Sequence, residues 1–239
     1  MTVELDEQGR AVHPGAHADA AFLAVKLARI FEPHVAPLND LVRQWRQPVN
    51  AADPLAAPVW EAVPWFDPAG GGTDARVLIL LEAPGPKSVE PVGSGIISPD
   101  NADPTADAVH AAHKLTGLSR ADCVHWNIVP WVVYKTDANG DRTDEWTTPS
   151  MTDVNGAHTA LQQLLALLPD VQVVITMGDW ALKGWSKHLT LSLPGTFPVT
   201  PVSLHVPHPS QRNTFAKDEA LTRLHNAFTL AGRGIRDQD

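Results

Sequence analysis

One cysteine, Cys123, stands in 239 residues. That excludes an internal disulfide, a four-cysteine zinc site and a cysteine-ligated iron–sulfur cluster, so no metal or other cofactor is expected. Cys123 lies in an apolar stretch, where a thiol behaves as a small inert hydrophobe. Long hydrophobic runs are missing too. None approaches the roughly 20 residues that span a bilayer, and no membrane partner is expected. The N-terminus MTVELDEQGR lacks the basic and apolar regions of a secretory signal, so the expected location is cytoplasmic. The net charge of −9 opposes broad affinity for nucleic acid, because phosphate neutralisation supplies most non-specific binding. Acidic residues are nevertheless absent from Trp180 to Lys217, where Lys183, Lys187, Arg212 and Lys217 bring positive charge. A basic face on an acidic protein and a chance run of neutral loops both fit that pattern.

An apolar fraction of 44% with 19% charged residues belongs to a globular chain able to bury a full core. Residues 1–75 read as an N-terminal helical extension, with helix-like segments from Ala18 to Phe31 and from Val35 to Arg46, closed by the triple glycine at 70–72. Residues 76–239 read as the core. RVLILL (76–81) is a continuous apolar run suited to a strand covered on both faces. CVHWNIVPW (123–131), VQVVITM (171–177) and VTPVSLHV (199–206) are the other candidate strands. Between the first two, Asp103 is placed to cap a helix that starts with Pro104. Ala157, Leu161, Leu164, Leu165 and Leu168 recur at helical spacing in the next gap, GDWALKGW supplies a short helix, and KDEALTRLHNAFTL an amphipathic one. Alternating strands and helices predict a three-layer αβα fold with a central four-stranded parallel sheet. In such sheets ligands bind beyond the carboxyl ends of the strands.

Three segments fall at those ends. Glu82 closes the first strand and is followed by Ala83, Pro84 and Gly85, small or φ-restricted residues that turn the chain and let a ligand approach. A loop cap or surface charge is the plainer role for such a Glu. Asn127 interrupts a strand-like run, and its two-sided amide can read a base edge or satisfy nearby backbone. His208 follows the fourth strand in VPHPSQRN. His205 and His208 have an H-x-x-H spacing, but an extended strand points them to opposite faces, so no shared metal is expected.

Taken together and in this order, the segments resemble the uracil-DNA glycosylase superfamily. EAPG (82–85) is similar to the first motif of the thermophile-type iron–sulfur branch, NIVPW (127–131) to a middle segment whose Asn reads uracil, and HPS (208–210) to the second motif. The similarity spans roughly residues 76 to 230. It implies a divergent member without that branch's cysteines, with Ala83 where other branches place a catalytic Asp. It further implies that Glu82 positions or activates water, that Ala83, Pro84, Gly85 and Asn127 bind the base, and that His208 donates to the uracil O2 as charge develops there. Ser210 would hold phosphate, while Gln211, Arg212 and Asn213 would wedge into the duplex. The expected partner is DNA containing uracil or a damaged base, and the expected state a monomer. A Phe that stacks on the base in relatives has no counterpart in GPKSVEPVGSGIISPDNADP, which leaves Ile97, Pro99 or Trp131 to pack there. None of the proposed motif residues is a lysine, so the expected enzyme is monofunctional. Two other readings stay open: a superfamily member that binds flipped bases or damaged DNA without turnover, and a small-molecule α/β hydrolase, for which no Gly-x-Ser-x-Gly elbow is present.

Overall fold

The structure is a computed structural model that describes residues 3–6, 10–46, 63–192, 200–209 and 217–236. Its centre is an all-parallel sheet of four strands: β2 (Val77–Leu81), β4 (Cys123–Asn127), β7 (Val173–Met177) and β8 (Val202–Val206). They lie in the order β4-β2-β7-β8. β2 and β7 are central and buried on both faces, which is why β2 is apolar at every position and β7 at all but Thr176, rather than at alternate ones.

Alternate residues of each strand feed two separate cores. One face carries Leu78, Leu80, Val124, Trp126 and Val174. It is covered by α2 (Ala36–Arg46), α4 (Met151–Gly156), α5 (His158–Ala166) and α6 (Asp179–Leu191), through side chains such as Leu38, Val42, Val154, Leu164 and Trp185. The other carries Val77, Ile79, Cys123, Ile175 and Met177 beneath α3 (Pro104–Thr116) and α7 (Lys217–Arg236), which bury Val109, Ala112, Leu224 and Phe228. This is the three-layer arrangement that the alternating pattern predicts. Cys123 is fully enclosed, and burial pushes its thiol well above the usual range, so it is inert.

Several boundaries differ from the sequence expectation for local reasons. The second strand stops at Asn127 instead of running to Trp131, because its neighbour β2 ends at Leu81; two further backbone bonds, Ile128 N to Leu81 O and Val129 N to Glu82 O, finish the pairing. The Leu-rich helix appears as α5, and a separate short helix, α4, precedes it, begun by a reciprocal capping box of Ser150 and Asp153. In the N-terminal part, α1 is confined to Ala20–Leu27, begun by Asp19, whose carboxylate accepts from the backbone of Ala21 and Phe22. Asp103 caps α3 as expected, and Gly117 ends it at φ 71°, the left-handed conformation that glycine adopts most cheaply.

Two small sheets accompany the central one among the described residues. β1 (Trp65–Phe66) pairs with β3 (Ile96–Ile97), and β5 (Tyr134–Thr136) forms a hairpin with β6 (Arg142–Trp146). No helix among the described residues is long and apolar enough to cross a membrane.

Candidate active site

The carboxyl ends of β2 and β4 and the segment leaving β8 border one cavity of about 540 Å³. Glu82, Ala83, Pro84 and Gly85 line it from behind β2, Asn127 from the last position of β4, and His208 from just beyond β8. Sheet register brings the two strand ends level: Leu81 lies opposite Asn127, and Glu82 is the next residue along the chain. His205, by contrast, bonds Thr176 through Nδ1 at 3.2 Å and does not line the cavity, so the two histidines of H-x-x-H serve different surroundings.

Glu82 is anchored from the far side. The backbone N–H of Trp180, in the first turn of α6, donates to its Oε1 at 3.2 Å. Helix N-termini leave such donors unsatisfied and favour negative charge. The loop-cap role and the cavity role therefore coexist in one carboxylate, since Oε2 has no hydrogen-bond partner among the described residues. Gly178, just before α6, makes this approach possible. A Cβ there would lie 2.5 Å from Glu82 Oε1, and its backbone at φ 95°, ψ 164° is a conformation that is nearly exclusive to glycine.

Asn127 is 3% exposed, and its Nδ2 has no hydrogen-bond partner among the described residues. A buried amide donor left unmade costs about 1 to 3 kcal/mol. The fold tolerates that cost at the cavity wall, where a ligand acceptor would remove it. Two residues earlier on the same strand face, His125 also lines the cavity, and its Nε2 lies 3.0 Å from His113 Nε2 of α3. Both imidazoles are held neutral. Burial, with the His125 neighbour, pushes His113 well below its ordinary value; burial, with the Arg120 charge, brings His125 down to about 3.

One wall of the cavity, Ile97, Ser98, Pro99 and Asn101, is fixed by an ionic cluster. Lys26 of α1 donates to Asp67 Oδ2 at 2.9 Å, to Ser98 Oγ at 3.1 Å and to Asp100. Arg120 closes the cluster with bonds of 2.7 Å to Asp100 Oδ1 and 2.9 Å to Asp67 Oδ2. Burial alone would raise both carboxyls, but the two cations outweigh it: Asp67 falls to about 2 and Asp100 lower still. Asn101 adds bonds to Ser88 Oγ, Ile96 O and His17 Nδ1. Removing one partner from such a buried cluster leaves an uncompensated charge, which is strongly destabilising.

The family model for the uracil DNA glycosylase superfamily matches residues 68–229, well over half of the chain. The chain belongs to the uracil DNA glycosylase superfamily. No curated protein matches it at a meaningful level. Among solved structures it is similar to wild-type SMUG2 from Pedobacter heparinus, with 13% identity and a TM-score of 0.46, over 69% of this chain and 77% of that one.

For a superfamily member, the cavity wall departs from the sequence expectation in one respect. Ile97 and Pro99 do line it, whereas Trp131 is 5% exposed, packs into the core below α4, and does not. Its aromatic surface comes instead from Trp146 at the end of the β5–β6 hairpin, braced edge-on by Tyr134 at 5.8 Å between ring centroids. The turn signal Asn139-Gly140 between Tyr134 and Trp146 marks that hairpin in the sequence. Nothing local marks which pocket Trp146 would join. Lys87, two residues beyond the EAPG segment, also lines the cavity and is exposed. Ser210, Gln211, Arg212 and Asn213 lie outside the described residues, as does much of the acid-free stretch. In its described part, Lys183 lies over the Trp180 ring and Lys187 donates to Asn155.

Proposed function

We propose that the protein hydrolyses the N-glycosidic bond of uracil, or of a related deaminated or damaged base, in DNA, after the nucleotide is flipped into the cavity. The observation that carries this reading is Asn127: a nearly fully buried amide with an unpartnered Nδ2, on the wall of the same cavity as Glu82 and His208. Asn127 bonds the edge of the base. Trp146 and the Ile97–Pro99 wall bracket its faces, which supplies the stacking surface that a flipped base requires. Glu82, steadied through Oε1 by the α6 N-terminus, holds the attacking water on Oε2. As the bond from base nitrogen to C1′ breaks, the water oxygen bonds C1′ and its proton passes to Glu82. The electron pair stays on the base, and His208 donates to the oxygen where that charge gathers, a stabilisation worth about 3 to 4 kcal/mol. Ser210 and the Gln211–Arg212–Asn213 tip hold phosphate and probe the duplex; the protein acts as a monomer in the cytoplasm, without a metal or lysine nucleophile.

Oligonucleotides with a single uracil, single- and double-stranded, followed by alkali cleavage of abasic sites, test this. Alkali-dependent strand breaks are expected, with no covalent adduct trapped by borohydride. An adduct would make Lys87 a nucleophile and the enzyme bifunctional. Salt-sensitive binding without breaks on any deaminated base would replace the reading with a non-catalytic binder, and activity on free nucleosides alone with a small-molecule hydrolase.

A further inference from the structure

The His113–His125 pair carries more information than burial alone requires. His113 Nδ1 lies 2.8 Å from the carbonyl oxygen of Leu118. A carbonyl only accepts, so that nitrogen bears the proton. In a neutral ring the other nitrogen, Nε2, is then an acceptor. It lies 3.0 Å from His125 Nε2, which must therefore be the donor. The consequence runs one ring further: the lone pair of His125 is on Nδ1. That nitrogen has no hydrogen-bond partner among the described residues, yet the ring lines the cavity, about 6.6 Å deeper along β4 than Asn127.

We infer that His125 is a base-facing hydrogen-bond acceptor, locked with its proton on Nε2 by His113, so that the cavity selects a base presenting an N–H donor to the sheet. The inference rests on the reading that the cavity receives a base. Asn127 Nδ2 offers a donor and His125 Nδ1 an acceptor on the same strand face. A base with a carbonyl beside an N–H complements both; one whose inner edge is methylated or carries only oxygen leaves the His125 lone pair unmet or opposed. Burial lowers both rings, His125 to about 3, so at neutral pH the acceptor does not turn into a donor. The N–H could be a ring imino group or an exocyclic amine, and the two are separable by experiment.

The test uses protein labelled with ¹⁵N in histidine and bound to an oligonucleotide containing an abasic site, with free uracil, 3-methyluracil or cytosine added in turn. The expected His125 signature is a proton on Nε2 alone, with an Nδ1 resonance that moves with uracil and stays with 3-methyluracil. Movement with cytosine but not uracil supports the same acceptor and assigns the donor to the amine. A proton on Nδ1, or an Nδ1 resonance that no base moves, overturns the inference. In parallel, His125→Leu is expected to slow single-turnover excision about tenfold, the worth of one hydrogen bond, with His125→Gln recovering part of the rate and thermal melts confirming both folds. If the wild-type protein excises no base while Nδ1 still moves with uracil, the glycosylase reading fails and the acceptor stands. If it excises uracil while His125→Leu keeps the full rate and Nδ1 stays still, the acceptor alone fails.

Discussion

Gly178→Ala should damage catalysis from a position that never faces the cavity. A Cβ at residue 178 would meet Glu82 Oε1 at 2.5 Å, Cδ at 2.7 Å and Cγ at 2.9 Å, so the carboxylate must move. Real Cβ contacts start beyond 3.0 Å, and clearing that limit displaces the group by several tenths of an ångström or rotates it off the Trp180 N–H. A misplacement of about 1 Å in a reacting group costs on the order of a hundredfold in rate. Alanine must also adopt φ 95°, ψ 164°, which adds a folding penalty of about 1 to 3 kcal/mol. At this chain length that lowers the melting midpoint by roughly 2 to 12 °C. The assay is single-turnover excision, with DNA affinity from fluorescence anisotropy and a thermal melt on the same preparation. Expected are a rate loss of ten- to a hundredfold, unchanged affinity and a modest melting shift. Gly85→Ala is the control for the melt alone, because a Cβ there meets nothing within 4 Å and φ is −87°; its fold should be untouched, while its place on the cavity wall keeps it out of the rate comparison. A Gly178→Ala protein that melts early yet excises at the full rate would show that the position of the Glu82 carboxylate does not matter to the chemistry.

Replacing the buried, unpartnered Asn127 by Leu removes a desolvation cost of about 1 to 3 kcal/mol, so urea unfolding should show equal or greater stability while excision falls about a hundredfold or more; a clear loss of stability would mean that the amide serves the fold. Lys26→Met strips one cation from Asp67 and Asp100 and should cost about 3 to 5 kcal/mol, read as a lower urea midpoint at unchanged m-value. An effect under 1 kcal/mol would contradict the cluster's role. His113 and His125 have folded values below their ordinary 6.5, so the unfolded chain takes up protons that the native one refuses. Stability should therefore fall as pH drops below about 6.5, by up to roughly 1.4 kcal/mol per pH unit for each ring, and His125→Leu should flatten the slope between pH 6.5 and 4. Asp67, lowered from 3.8 to about 2, contributes stability that is fully present above about pH 4 and is lost only as pH falls toward 2.

Most of the sheet was legible because its signals are local. A continuous apolar run marked β2, the mostly apolar VQVVITM marked β7, Asp103-Pro104 announced α3, and alternation of strand and helix implied parallel pairing. Errors fell where a partner decides the boundary: the second strand stops when β2 stops, short of the expected Trp131. The positions of Glu82, Asn127 and His208 around one cavity follow from strand ends. By contrast, the pairing of His125 with His113, and of Glu82 with the start of α6, joins segments whose sequences carry no mark of each other.

By itself, then, the sequence determined the alternation and the strand ends that meet at a crevice, because each depends on residues within a turn or a strand of one another, and its cysteine count excluded a four-cysteine metal site. The tertiary structure decided which groups are short of partners. Whether an Asn amide is satisfied, which histidine nitrogen keeps its lone pair, and whether Trp131 or Trp146 faces the cavity all depend on neighbours brought in from other elements. Desolvation makes such groups costly and therefore informative, and only packing shows which of them are desolvated.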